Sequence, residues 1–250
     1  MKMLSPVSAK ITKNKSTTRQ RVRKSLLLFF ILTFPFAMNY YSFILPVTAL
    51  AKGVICGAMI VWLLFFLSSI ILGRSGCSYF CPLGGLQELV DESVQFRLKK
   101  VPYLHWIKYG LFVAWMIFCF RASLYDGLPK QFDFLYMTES VVSWDSIHGN
   151  FIYGGVFGLV ILAALTLGKR GFCRYFCWYG PLNIIGSAIG RESGLPTLQL
   201  ARKEGGECID CYHCEENCPM SLPVRIMASG EKVFHHECIL CGRCVDNCPG

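Results

Sequence analysis

Charged side chains are scarce in this chain. Only 16% of its 250 residues are Asp, Glu, Lys or Arg, whereas a soluble domain of average composition carries about 25%. Three stretches have no charge at all, namely residues 25–51, 53–73 and 149–168. Because about 20 apolar residues cross the hydrocarbon core of a bilayer, these absences argue against a wholly soluble protein and predict three transmembrane helices.

A fourth, weaker transmembrane helix is predicted at residues 101–121. The part from Tyr109 to Phe120 has neither charge nor histidine. Lys108 and Arg121 flank it, and we expect their long side chains to extend toward opposite membrane interfaces. Four spans is the even number that places both ends of the chain on one side of the membrane.

Acidic residues are few in the first 200 positions, which hold 20 basic and 8 acidic side chains, whereas residues 201–250 hold 5 and 8. A nucleic-acid surface is one interpretation of the net charge of +9. Membrane topology explains it better, because segments 1–24, 73–100 and 168–174 carry eight, four and three basic residues and 122–148 carries one. The positive-inside rule then predicts a cytoplasmic N-terminus, a cytoplasmic 73–100 loop and a cytoplasmic tail, with no nucleic-acid partner.

Two further absences narrow the class of protein. The chain has five histidines, and no two of them are predicted to face each other at membrane depth, which argues against a membrane haem. Ala49-Leu50-Ala51 resembles a signal-peptide cleavage site, but the uncharged stretch before it exceeds the roughly 7–15 residues of a signal core. We therefore expect no cleavage there.

Cysteine, in contrast, is abundant, and eight of the fourteen lie in the last 43 residues. They form two runs of the pattern C-x2-C-x2-C-x3-C-P, the spacing of two-cluster ferredoxins, in which the fourth cysteine of each run binds the other cluster. A structural zinc site is disfavoured because zinc sites use ligand pairs that lie far apart. We predict two [4Fe–4S] clusters, the first held by Cys208, Cys211, Cys214 and Cys248 and the second by Cys238, Cys241, Cys244 and Cys218.

The last cysteine is followed only by Pro249 and Gly250. Two-cluster ferredoxins usually continue into a closing strand. We therefore expect either further residues or a strand supplied by a partner at this edge.

An internal repeat carries four more cysteines. Cys77-x3-Cys81 and Cys173-x3-Cys177 each follow a predicted span and precede a mildly amphipathic segment. Parallel repeats are related by an axis along the membrane normal, so the two pairs are predicted to face each other. Three interpretations stay open. In the first, the pairs form a redox or metal centre, with all four thiolates bound to one metal centre, the third in the chain. In the second they are packing thiols at a turn, and in the third they form the wall of a quinone pocket or of a docking face. Cys56 and Cys119 lie within spans and are expected to be core thiols.

The order of these motifs resembles the NapH/MauN family of ferredoxin-type membrane proteins, which includes the quinol dehydrogenase subunit of periplasmic nitrate reductase systems. The resemblance covers Arg23 to Gly250, although the family repeats Cys-x3-Cys-Pro twice and here Trp178 follows the second pair. Relatives with these motifs serve several pathways, so the pathway is left open.

This resemblance implies a mainly α-helical membrane protein with four transmembrane helices in two parallel repeats and a C-terminal α+β two-cluster ferredoxin domain. The predicted division is a basic N-terminus (1–24), a membrane domain (25–190), a linker (191–206) and the ferredoxin-type domain (207–250).

The implied function is electron transfer between the quinone pool and a soluble or membrane redox partner, in a prokaryotic inner membrane and in contact with its lipid. Quinone is then a cofactor or substrate, and the chain a candidate quinol dehydrogenase subunit. The alternative is an assembly or maturation factor that handles metal or electrons for a partner metalloenzyme.

Overall fold

The computed structural model describes residues 17–93, 103–126, 131–137, 147–200, 208–228 and 234–249. Its elements are almost all helical. In chain order they are α1 (Thr18–Leu32), α2 (Phe34–Ala37), a 3-10 turn (Met38–Tyr41), α3 (Ile44–Leu50), β1 (Val54–Cys56), α4 (Gly57–Leu72), α5 (Ser75–Tyr79), α6 (Pro82–Ser93), α7 (Trp106–Asp126), β2 (Gln131–Asp133), α8 (Ile147–Leu167), α9 (Gly171–Tyr175), α10 (Tyr179–Glu192), α11 (His213–Glu216), α12 (Val224–Ala228) and α13 (Arg243–Asp246).

The four predicted spans differ in how they fold. Within the described residues, one helix is long and apolar enough to cross a membrane, the part of α7 from Trp106 to Leu124. Helix α1 and the segment Phe34–Tyr41 pass the same test together, but they are bent by 62° at the break between them. Gly57–Leu72 and Tyr153–Leu167 are shorter apolar helices. Length and composition thus identify one spanning helix, or two if the bent pair is one span.

The predicted span 25–51 is therefore not one straight helix. It divides at Thr33 and again at Ser42, between α1, α2, the 3-10 turn and α3. Pro35 is among the first residues of α2 and Pro46 lies in the first turn of α3. A proline lacks the backbone N–H donor and clashes with the preceding turn, so it is placed near a helix start rather than in a helix interior.

Two glycines end the corresponding helices of the repeat. Gly73 follows α4 and Gly168 follows α8, and both have positive φ angles, +57° and +68°. Glycine adopts this conformation without the penalty that a Cβ atom brings, which makes it a common helix stop.

Pro82 opens α6, as the sequence predicts, so Cys81 lies between two helices, α5 and α6, and not inside one.

The two halves of the repeat are packed crosswise. We call α4–α6 the first repeat and α8–α10 the second repeat. Helix α10 of the second repeat packs against α4 of the first, and α6 of the first repeat packs against α8 of the second as well as against α1. The amphipathic helices α6 and α10 therefore each bury one face in the opposite repeat.

Strands β1 and β2 form a small parallel pair that joins Val54 to Gln131.

We call residues 201–250 the tail. Its described residues, 208–228 and 234–249, contain three short helices, α11, α12 and α13, and no strand. The strands expected of an α+β ferredoxin are thus not seen in these two segments, while 201–207 and 229–233 lie outside the described residues, as do residues 1–16 of the basic N-terminus. Helices α11 and α13, which follow the first cysteines of the two runs, pack against each other.

Candidate iron–sulfur centres

The tail brings together the four thiols predicted for the second cluster. Cys218 and Cys241 are buried in one apolar cluster with Met220, Leu222 and Ile239, and Cys238 and Cys244 pack against it. All four cysteines line one cavity whose other walls are mostly apolar, which we call the tail cavity. Thiolates are the soft donors that iron–sulfur clusters use, so this donor set and its dry surroundings fit such a group.

Burial controls the ionisation of these thiols. It raises the pKa of Cys238 to about 11 and that of Cys244 to about 12, and the neighbouring Cys241 thiol adds to both rises. Without a bound cation the thiols would therefore stay protonated at neutral pH. Four thiolates in so small a space require positively charged iron to hold them together.

The other four tail cysteines lie nearer the surface. Cys208 and Cys248 are exposed, whereas Cys211 and Cys214 are half-buried. Burial raises the pKa of the Cys214 thiol, and the Cys211 thiol contributes because it is close by. Arg225 bonds to Asp210 at 3.0 Å between the first two cysteines of the run. This half of the tail thus lies toward solvent.

The two Cys-x3-Cys pairs meet, as the repeat predicts. Cys77, Cys81, Cys173 and Cys177 all line one further cavity, which we call the four-thiol cavity, together with Arg74, Tyr179 and Ile239 among others. Burial and, to a lesser extent, the nearby Cys173 and Cys77 thiols raise the pKa of Cys81 to about 12. Every one of these four cysteines is free of disulfide bonding.

Ile239 is part of both cavity walls. It lines the tail cavity and the four-thiol cavity and is 2% exposed. Cys173 of the second repeat also belongs to the same buried cluster as Cys218 and Cys241 of the tail. The two groups of thiols are therefore neighbours, separated by buried apolar side chains.

A buried carboxylate joins the repeats to the tail. Glu88 accepts bonds from Arg23 at 2.8 and 2.9 Å, from Arg170 at 2.5 and 2.9 Å and from Arg243 at 2.8 Å. Burial alone would raise the pKa of Glu88, but Arg170, Arg23 and Arg243 outweigh it and hold that pKa well below its usual range. Glu88 is thus ionised and ties α1, both repeats and the tail together.

A second buried carboxylate comes from the tail itself. Glu237 accepts a bond from Arg74 at 2.9 Å and another from Lys108 of α7. Burial would raise the pKa of Glu237, but Arg74 and then Lys108 lower it to about 2. The expectation that Lys108 extends to a membrane interface is therefore wrong: its side chain is fully buried and directed at this carboxylate.

Main-chain contacts complete the attachment of the tail. Lys169 donates to the carbonyl oxygens of Glu216 and Cys218, each at 2.7 Å, and Arg174 donates to those of Met220 and Ser221. On the other side, Gln20 of α1 donates to the Cys241 carbonyl at 2.9 Å. The cysteine loops are therefore held by side chains from two separate parts of the chain, α1 and the segment 169–174.

Sequence reasoning did not find the pairings of these polar residues. Glu88, Gln20 and Lys108 belong to no recognised motif, and their partners in other elements lie 65 to 226 positions away in the chain. Arg74 and Arg170 could have been identified from the repeat, because each lies three residues before the first cysteine of its pair.

Among the residues that the structure describes, no three His, Cys, Asp or Glu side chains are grouped as ligands of one metal ion. In a cubane cluster each thiolate binds its own iron atom, so the ligands stand farther apart than those of a single ion.

Two family models match the chain. The model described as a 4Fe-4S binding domain matches twice, over residues 54–101 and 151–196, and the one described as a 4Fe-4S dicluster domain matches residues 207–250. The first model thus falls on both repeats and the second on the tail. No solved structure matches the chain.

Curated relatives agree with these matches. YccM of Escherichia coli, named for electron transport, is 28% identical over 186 residues, which cover 71% of this chain and 50% of YccM. Protein NirI of Paracoccus denitrificans is 27% identical over 82% of this chain and 36% of its own length. The methylamine utilization ferredoxin-type protein MauN of Methylobacillus flagellatus is 25% identical over 69% of this chain and 56% of MauN.

The chain thus spans about half the length of YccM and MauN, and less of NirI. These relatives confirm the resemblance inferred from the motifs. Together with the family models they indicate that both repeats and the tail are iron–sulfur binding domains, and they group the chain with ferredoxin-type proteins.

Proposed function

We propose that this chain, a ferredoxin-type protein of the NapH/MauN family, is anchored in a prokaryotic inner membrane and passes electrons between the quinone pool and a redox partner protein. The observation that carries the proposal is the position of Ile239, whose side chain lies between the thiols of the repeats and the thiols of the tail. A short, dry separation of this kind favours electron transfer from a membrane part to an exposed part.

Membrane anchoring is supported by the surface of the apolar helices. Large apolar side chains are exposed on α4, α7 and α8, which a soluble monomer rarely shows as one extended area. They include Leu63, Leu64, Leu67, Ile71, Val113, Ile117, Phe118, Phe120, Leu159 and Leu162. In the proposed arrangement these side chains face lipid, and residues 25–51, 53–73, 101–121 and 149–168 each contribute a crossing.

The proposed topology is supported by a set of polar contacts. Arg19 of α1, Arg74 and Lys169 all bond to the tail, and each comes from a segment that the positive-inside rule assigns to the cytoplasm. These contacts require the start of α1, the loop after α4, the loop after α8 and the tail to share one end of the molecule. The described part of the linker, residues 191–200, lies at the same end, where the Leu198 N–H donates to the Ile71 carbonyl at 2.9 Å.

The ligand sets are part of the same proposal. Cys238, Cys241, Cys244 and Cys218 would hold the inner cluster, and Cys208, Cys211, Cys214 and Cys248 the outer one. Iron–sulfur clusters, when bound, supply one-electron transfer, and pairs of them suit a two-electron donor such as a quinol. The exposed position of Cys208 and Cys248 makes the outer site the face on which a redox partner would dock.

The test is a reduction experiment on the full chain. The protein is purified without oxygen in detergent, and a quinol analogue is added while cluster absorbance and EPR spectra are recorded. We expect bleaching of the absorbance and a reduced-cluster EPR signal. The variant Cys241→Ser should lose much of both signals, whereas Cys119→Ser, a buried thiol of α7, should retain them.

Unchanged spectra after quinol addition, in a protein whose clusters respond to dithionite, would overturn the quinone part of the proposal. If the same preparation instead transferred metal to an apo partner enzyme, the alternative function as a maturation factor would replace it.

A further inference from the structure

The two repeats place equivalent polar residues around the four-thiol cavity. Counted from the first cysteine of each pair, an arginine stands at −3 (Arg74 and Arg170) and an amide at +10 (Gln87 and Asn183). The amides are exchanged between repeats. Gln87 of the first repeat donates to Cys173 Sγ of the second at 3.1 Å, and Asn183 of the second donates to Cys77 Sγ of the first at 3.5 Å.

Arginine and glycine are exchanged in the same way. Arg170 of the second repeat donates to the Cys77 carbonyl oxygen of the first at 2.6 Å, and a Cβ atom at Gly84 would lie 2.9 Å from its Nη1. Arg74 of the first repeat lies against the equivalent Gly180 of the second, where a Cβ atom would be 3.4 Å from Nη2. The cavity is therefore built jointly by both repeats around an approximate twofold relationship.

Positive charge is concentrated around this cavity. Arg74 and Arg170 are each 2% exposed. Arg74 shares the single Glu237 carboxylate with Lys108, and Arg170 shares the single Glu88 carboxylate with Arg23 and Arg243. Burying a charge is costly unless an opposite charge compensates it. Two cations on Glu237 and three on Glu88 call for further negative charge nearby, and four thiolates with bound iron supply it.

Two buried donors at the cavity also lack a partner. Within the described part of the chain, Arg74 Nε and Trp178 Nε1 have no hydrogen-bond acceptor, and both residues line the cavity. Buried N–H groups are normally paired. Sulfide or thiolate sulfur within the cavity would give both donors an anionic acceptor, whereas the sulfur of a neutral thiol is only a weak acceptor.

We propose that Cys77, Cys81, Cys173 and Cys177 together bind one [4Fe–4S] cluster, a third centre shared by the two repeats. A single zinc ion is the other tetrathiolate possibility, but these thiols are not grouped as ligands of one ion, whereas a cubane binds each thiolate to a different iron atom. Gln87 and Asn183 are positioning residues that donate N–H···S bonds to one ligand in each repeat.

The primary test is an iron and sulfide count on the wild-type full chain after anaerobic purification. Three cubanes give about twelve iron atoms per chain and two give about eight. A count near twelve supports the proposal. A count near eight, with or without one zinc ion, overturns it. Because the count needs no electron donor, its result is independent of the quinol test.

Variants then assign the additional iron. Cys77→Ser and Cys173→Ser lie in different repeats, and each should lose about four iron atoms while the tail clusters keep their spectra. The matched control is Cys119→Ser, which should keep all the iron. Equal iron in all three variants would contradict the shared site even if the total were near twelve.

Asn183→Leu gives a readout that does not depend on iron loss. Leu has nearly the same shape as Asn and removes only the bond to Cys77 Sγ, since Asn183 Oδ1 has no partner among the described residues. Hydrogen bonds to sulfur favour the more negative, reduced state. The variant should keep its iron and show a lower midpoint potential for one centre only. An unchanged midpoint potential at full iron content would show that Asn183 does not donate a hydrogen bond to a cluster ligand.

Discussion

The Arg243 guanidinium of the tail donates a hydrogen bond to the Glu88 carboxylate of the first repeat at 2.8 Å. Arg243 directly precedes the predicted cluster ligand Cys244, and Glu88 also binds Arg170, which lies three residues before Cys173. One carboxylate therefore connects the loops of both groups of thiols. A change at Glu88 should disturb both groups, although Glu88 is not a ligand itself.

Glu88→Gln should strongly destabilise the attachment of the tail. The amide cannot compensate the buried charges of Arg23 and Arg170, and removing one partner of a buried ion pair costs about 3–5 kcal/mol. We expect a lower thermal unfolding midpoint and faster trypsin cleavage within the linker 191–206. Glu216→Gln, at an exposed carboxylate of α11, is the matched control and should behave like wild type. Equal protease resistance of the two variants would contradict the role given to Glu88.

The same carboxylate predicts a pH dependence. Its folded-state pKa lies below the reference value of 4.5 because three arginines outweigh the cost of burial. A carboxyl with a depressed pKa contributes stability that is fully present above its unfolded pKa and is lost as pH falls toward its folded pKa. The difference in stability between wild type and Glu88→Gln should thus be constant from pH 7 to about 5 and shrink on further acidification. A difference that grows below pH 4.5 would refute this assignment.

Much of this architecture can be predicted from the sequence because its signals are local. The spacing of Cys208 to Cys218 and of Cys238 to Cys248 lies within eleven residues in each run, and the repeat places Cys77 opposite Cys173. The uncharged stretches likewise mark apolar helices, although Pro35 and Pro46 divide the first of them. Such features need no knowledge of long-range contacts.

The buried ion pairs could not be predicted for the opposite reason. Lys108 was expected at a membrane interface because a lone charge at the end of an apolar helix usually extends to water. Its partner Glu237 lies 129 residues away in the tail. No local sequence pattern indicates that the tail packs against α7. Glu88 similarly sits in an amphipathic helix, where a carboxylate is normally solvated.

Glu237 gives a third prediction, which follows from an asymmetry of the repeat. The position equivalent to Glu88 in the second repeat is Ile184, so Arg74 receives its carboxylate from the tail. Glu237→Gln should release the tail, measured as faster cleavage of the linker. The double variant Glu237→Gln with Ile184→Glu should recover part of the unfolding midpoint, because it returns a carboxylate to the repeat, but not the protease resistance. Recovery of both properties would argue that Glu237 does not hold the tail.

The proposed topology makes a fourth prediction. A periplasm-specific reporter such as alkaline phosphatase should be active when fused after Lys130, in the segment predicted outside, and inactive when fused after Gly250 or Arg97. A cytoplasm-specific fluorescent reporter at the same three positions should give the reverse pattern and serves as the control for expression. An active phosphatase after Gly250 would place the tail on the opposite side and remove the basis of the proposed electron route.

The close approach of α10 to α4 makes the fifth prediction. Gly186 and Gly190 form a G-x3-G face, and a Cβ atom added at Gly190 would lie 1.8 Å from the Ile70 carbonyl oxygen. Gly190→Ala must therefore push the helices apart, and overpacking of this kind costs about 1–3 kcal/mol. Gly158→Ala on α8 is the matched control, since its Cβ atom would meet nothing within 4 Å and alanine favours the helix. Because α10 also carries Asn183, the separation should lower iron retention during purification in Gly190→Ala and not in Gly158→Ala. Equal unfolding midpoints and equal iron retention in these two variants would show that the contact between α10 and α4 does not support the four-thiol cavity.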